Sequence, residues 1–69
     1  MSAADAIRSA QARAGYYRRT EDMLRMAIIP PSTFYRKVKC GELTAAEIRR
    51  LDRVLKFRDE ELLEIIRGK

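Results

Sequence analysis

Within eight consecutive residues the chain places Ser32, Thr33, Tyr35, Arg36, Lys37 and Lys39, with no acid among them. Hydroxyl, phenol, guanidinium and ammonium groups in one short run suit phosphate oxygens and base edges. They do not make an acid–base couple or an activated nucleophile. The chain contains no His, so constellations for nucleophilic or acid/base catalysis have few members to draw on. No Gly-rich phosphate loop occurs. Cys40 is the single cysteine, which excludes an intramolecular disulfide and, without His, a zinc cluster. Cys40 itself reads as an inert or partly exposed thiol. The chemistry on offer is therefore that of binding: no enzyme activity, no cofactor and no small-molecule substrate are expected.

A second basic group, Arg18 and Arg19 followed by Thr20, lies a dozen residues upstream. The location of charge matters more than the net +5. Residues 1–39 hold eight cations against three anions, whereas residues 40–69 hold seven of each. The whole excess sits in the front half, an asymmetry that points to a polyanionic partner there. The bland reading is a merely soluble basic surface.

These groups need a scaffold. Sixty-nine residues make one domain, 1–69, with a thin stability margin. At 46% hydrophobic and 36% charged the chain is too apolar for a disordered tail. No run of about 18 apolar residues exists to span a membrane. The start, Met1-Ser2-Ala3-Ala4-Asp5, does not resemble a secretory signal. A small domain without staples fits a reducing cytoplasm.

Turn signals divide the chain into five short helices, an all-α class. The first is expected over about Ala3 to Ala14. Ser2 and Asp5 form a weak capping box, the stripe Ala3, Ala6, Ile7, Ala10 and Ala14 packs inward, and Gly15 provides a left-handed stop. The second is expected over about Glu21 to Ala27, with Thr20 as N-cap and Met23, Leu24 and Ala27 on one face. Ile28-Ile29-Pro30 is a break in which Ile29 must be extended. The third is expected over about Pro31 to Lys39, proline suiting the first turn, with Phe34 and Val38 as its buried side. Cys40-Gly41-Glu42 ends it. Thr44-Ala45-Ala46-Glu47 is a full capping box and opens the fourth helix, which runs to about Lys56 on Ile48, Leu51, Val54 and Leu55. Asp59 is expected to cap the fifth, which carries Leu62, Leu63, Ile65 and Ile66 and ends at Gly68.

The second helix, the tight break and the third helix form a pair that must cross steeply. The run Pro30-Pro31-Ser32-Thr33-Phe34-Tyr35-Arg36-Lys37-Val38-Lys39, then Leu43-Thr44 and Glu47, resembles small phage-type regulators of the Cro/CI (Xre) helix-turn-helix superfamily. The resemblance covers about residues 15–68. It implies a repressor-like fold and a sequence-specific regulator of transcription, of phage or prophage origin, bound to double-stranded DNA. It also implies roles. Met23, Ala27, Ile29, Phe34 and Val38 match the motif's buried positions. Pro31, Ser32, Tyr35 and Arg36 fall where such helices face base edges, and Thr33, Lys37 and Lys39 fall nearer the phosphates. Arg18, Arg19 and Thr20 fall where the second helix meets the backbone. Two departures stand out: Ile28 occupies the turn position that usually holds Gly, and Leu24 the position that usually holds a small residue. Both imply an altered turn or crossing angle.

Competing readings attach to several of these residues. Arg36 forks onto a guanine or clamps a phosphate. Tyr35 touches a sugar or methyl group, or packs beside Phe34. Ser32 and Thr33 contact DNA, or satisfy the first turn's free amides. Pro31 offers at most van der Waals contact with a thymine methyl. One of Tyr16 and Tyr17 belongs to the core. Arg49, Arg50, Arg53 and Lys56 read as a solvated face. Four apolar residues in the five positions 62–66 exceed one helical stripe, leaving some for a homodimer contact between C-terminal helices. The rival to a DNA-binding regulator is a small helical adaptor whose basic face meets an acidic protein.

Overall fold

The computed structural model describes residues 2–67. It is all-helical: α1 Ala3–Arg13, α2 Thr20–Ala27, α3 Pro31–Cys40, α4 Ala45–Leu55 and α5 Asp59–Arg67. No strand occurs among the described residues.

The helices start where local chemistry satisfies their free amides. At α1 the capping box is complete: Asp5 N–H donates to Ser2 Oγ at 3.1 Å and Ser2 N–H to Asp5 at 3.4 Å. At α4 the same reciprocal pair joins Thr44 and Glu47, at 3.1 and 2.9 Å. Two expected caps are displaced by one residue. Thr20 is the first residue of α2, and the residue before it, Arg19, makes no side-chain cap. The Thr20 hydroxyl instead accepts from Gln11 Nε2 at 3.1 Å, tying α2 to α1. Asp59 likewise lies inside α5. The α5 start is closed by Glu61, whose Oε1 accepts from the Arg58 N–H at 2.8 Å. The Gly68 stop lies outside the described residues. Gly41 ends α3 at φ 69°, the left-handed conformation that glycine adopts without steric cost.

α1 packs on α5 and α2 on α4, while α3 touches α1 and α2 more sparingly. Ile7, Met23, Leu24, Leu51 and Leu55 are the largest fully buried side chains. The alanines of α1 (Ala3, Ala6, Ala10) are buried as expected, and their size lets the neighbouring helix approach closely. One hydrophobic cluster draws residues from all five helices, with Phe57 filling the corner before α5. Tyr16 packs against this cluster and Tyr17 is exposed, which settles that pair. Of the apolar residues of α5, Ile65 is buried and Leu62 partly so, whereas Leu63 and Ile66 are exposed.

An ion pair between a partly exposed Arg13 and a buried Glu61 clamps the first helix to the last. Arg13 donates bidentately to Glu61, at 2.7 and 2.9 Å, and also to the Lys56 carbonyl at 3.1 Å. The Arg13 guanidinium, helped by the Arg58 N–H against the opposing effect of burial, holds the Glu61 carboxyl down at about 2.

Candidate nucleic-acid interface

α3 is held by one fully inward residue. Phe34 is 4% exposed, and Val38 is half-buried against the core. Around the rest of its circumference Pro31, Ser32, Tyr35, Arg36, Lys39 and Cys40 are exposed. Tyr35 packs beside Phe34 and is exposed as well. Its ring meets Phe34 edge-on at 5.5 Å between centroids, yet the residue is 55% exposed. One edge of the ring braces the helix and the phenol stands free. Arg36 reaches Glu42 only at 3.5 Å, with both side chains open to solvent, a contact of little energetic consequence. Thr33 is half-buried at the margin of this face.

Lys37 corrects the expectation that it faces outward beside Lys39. Its ammonium turns inward and donates to both oxygens of Glu47, each at 3.1 Å, linking α3 to the start of α4. Burial pushes the Glu47 carboxyl up, but the Thr44 N–H, the Lys37 ammonium and the Thr44 hydroxyl outweigh it and leave the carboxyl below its ordinary value. The signal was present in the sequence: Lys37 follows Phe34 by three residues, so it shares the inward side of the helix.

The turn before α3 is built from strain and long-range support. Ile28 closes α2 at φ 58° and ψ 51°, the left-handed conformation that a β-branched residue rarely adopts. Ile28 takes up a backbone that glycine adopts freely, at a cost in strain. Its side chain is 77% exposed and gains no packing in return. Leu24 is fully buried, so the expected small residue is replaced by a packed one. Arg50 Nε donates to the Ala27 carbonyl at 3.1 Å, satisfying the end of α2 from α4. Arg50 thus leaves the solvated face assigned to it. Nothing local announces a partner 23 positions away.

The residues ahead of α2 join this surface. Arg18 (φ 60°) stacks its guanidinium on Tyr17 at 5.4 Å, and Arg19 on Tyr16 at 5.5 Å. Arg19 Nε also donates to Asp22 at 3.1 Å. Arg18, Arg19, Thr20, Glu21, Asp22 and Tyr35 line one open hollow of about 350 Å³, so the upstream basic group meets the Tyr35 flank of α3 across it. A second hollow of about 260 Å³ continues from Arg18 and Thr20 to Tyr17, Gln11 and Arg8. Arg8 thereby extends the basic surface onto α1. Sequence reasoning missed it as a site residue, because no pattern within α1 separates a cation near the hollow from one in open solvent.

The arrangement suits binding an extended anion. A rigid stub of helix presents short hydroxyls, one phenol and one long guanidinium, flanked by cations on separate elements. Comparisons with family models, with curated proteins and with solved structures give no match for the chain.

Proposed function

We propose that this chain is a sequence-specific double-stranded DNA-binding regulator of the Cro/CI helix-turn-helix type, with α3 as the element that enters the major groove. One observation carries the reading: Phe34 points α3 inward while Ser32 and Arg36 stand clear on its opposite side and Tyr35 is exposed on its flank. Nothing among the described residues must move aside for duplex to approach that face.

In this reading Arg36 forks onto guanine O6 and N7, and Ser32 and Tyr35 address neighbouring base edges or a methyl group. Pro31 meets the groove floor by van der Waals contact. Lys39, Arg18 and Arg19 take phosphates, with Thr33 and the Thr20 end of α2 at the margins. Arg19 exchanges its Asp22 partner for a phosphate at little cost, since that pair is exposed. Lys37 leaves the set of phosphate ligands and fixes the angle of α3 through Glu47.

Selection from a random double-stranded oligonucleotide library, with the full chain as bait, tests the proposal. The expected result is enrichment of one short motif. A pool that stays random after repeated rounds rejects sequence-specific reading, and would leave the basic face to an acidic protein instead.

A further inference from the structure

We infer that the hollow behind α3, bounded by α1 and the start of α2, binds a small carboxylic acid with an apolar body and one O–H or N–H donor. The space measures about 130 Å³. Ile7, Phe34 and Val38 supply an apolar wall, and Gln11, Thr20 and Arg8 a polar one. One polar group there is unanswered. Gln11 is only 7% exposed. Its amide nitrogen donates to the Thr20 hydroxyl at 3.1 Å and to the Tyr16 carbonyl at 3.4 Å. A carbonyl can only accept, which fixes the two ends of the amide. The other end, Oε1, accepts nothing among the described residues. Yet no side-chain polar atom sealed inside them lacks a partner. Oε1 therefore opens onto free space. Gln11 borders this hollow and the adjoining one on the Tyr17 side, and the two run together along Arg8, Gln11 and Thr20.

The walls select the occupant. Water could donate to Oε1 but gains nothing from Ile7, Phe34 or Val38. The space exceeds the roughly 30 Å³ share of one water and approaches the roughly 150 Å³ of a cavity that admits benzene, so it takes a single ring or a branched aliphatic group. Arg8 adds charge at the polar side. It pairs with Asp5 at 3.4 Å, both side chains being exposed, so an incoming carboxylate displaces Asp5 at little cost. No acid lines the hollow to repel that carboxylate. Tyr35 borders the hollow too, and its ring braces Phe34, so an occupant presses on α3 from behind. The site stands whether or not α3 reads DNA.

Titrating the isotope-labelled full chain with para-hydroxybenzoate, without DNA, tests this by magnetic resonance. The expected result is saturable shifts in the millimolar range at the Gln11 side-chain amide, the Thr20 amide and the Ile7 and Val38 methyls. Benzoate lacks the donor and phenol lacks the charge, so each should bind about two- to tenfold more weakly. Arg8→Ala should impose a similar loss on para-hydroxybenzoate and none on phenol. Ala4 also lines the hollow, and Ala4→Leu, which fills it, should abolish binding of all three compounds. Should Ala4→Leu fail to fold, Arg8→Ala decides, since Arg8 is an exposed position. Absence of saturable shifts overturns the inference. So do shifts confined to Arg18, Arg19 and Lys39, equal affinity for the three compounds, binding indifferent to Arg8→Ala, or binding that persists in folded Ala4→Leu. None of these outcomes bears on DNA reading, which the library selection tests separately.

Discussion

At the scale of single residues, the proposed reading assigns α3 two kinds of contact. Arg36→Ala should relax preference at one base pair, by about 1–3 kcal/mol of discrimination. Lys39→Ala should weaken all duplexes alike, and both effects are read by titrating matched and single-substituted duplexes. Identical behaviour of the two variants would end the division of roles. Ile28 offers a prediction about the protein alone. Its left-handed backbone and open side chain mean that Ile28→Gly should raise stability by about 1 kcal/mol, measured by urea unfolding. An unchanged midpoint would show that the turn carries no such strain. Much of this scale was legible. Phe34, Met23 and Leu24 followed from spacing, Ile29 from the family resemblance, and the exposure of Ser32, Tyr35 and Arg36 from Phe34. Lys37 was misplaced because residue type was weighed above position. Its charge suggested solvent, while its place one turn beyond Phe34 put it beside α4.

At the scale of elements, two carboxylates hold helices together, and both lose that role in acid. Glu61 in the folded chain sits at about 2, below the ordinary 4.5, so it stabilises the fold fully above pH 4.5 and progressively less as pH falls towards 2. The amount at stake is on the order of 3 kcal/mol. Unfolding free energy measured across that window should fall steeply for the native chain and flatten in Glu61→Gln. Parallel curves would place the acid sensitivity elsewhere. Glu47, also held below its ordinary value, loses stability with the same sign. There the partner substitution is informative. Lys37→Met leaves the Glu47 carboxylate buried with only the Thr44 groups, and should cost about 1–3 kcal/mol in thermal unfolding. Full stability in that variant would make Lys37 a solvated cation after all. Helix existence and most boundaries were readable from capping boxes, proline and glycine. The displaced starts of α2 and α5 were not. At α5 the later Glu61 supplies the bond expected of Asp59, whereas at α2 no side chain caps the helix and the Thr20 hydroxyl is engaged by Gln11.

At the scale of the molecule, the fold sorts charge by face. α1, the Arg18–Arg19 corner and α3 collect the cations; α4 and α5 balance theirs. Phosphate contacts from Arg18, Arg19, Lys39 and Arg8 would each release condensed counterions. The logarithm of DNA affinity should then fall with the logarithm of salt at a slope of about −3 to −4 per chain. A slope near zero would remove phosphate binding from the account. Charge asymmetry was visible in the sequence, but its geometry was not. The meeting of Arg18, Arg19 and Tyr35 around one hollow depends on how α2 and α3 cross. That crossing rests on Arg50, Ile28 and the Lys37–Glu47 pair, contacts that no local pattern encodes.

Cys40 has a practical consequence. It is the chain's sole thiol and stands exposed at the far end of α3. A maleimide dye or nitroxide attached there labels one position, one turn beyond Arg36 on the face that carries Ser32. With two chains on one duplex, as the proposed function allows, two such labels act as a ruler between their α3 helices. Pulsed electron resonance would then give their separation directly, to be set against the roughly 34 Å that divides adjacent major grooves on one side of a duplex.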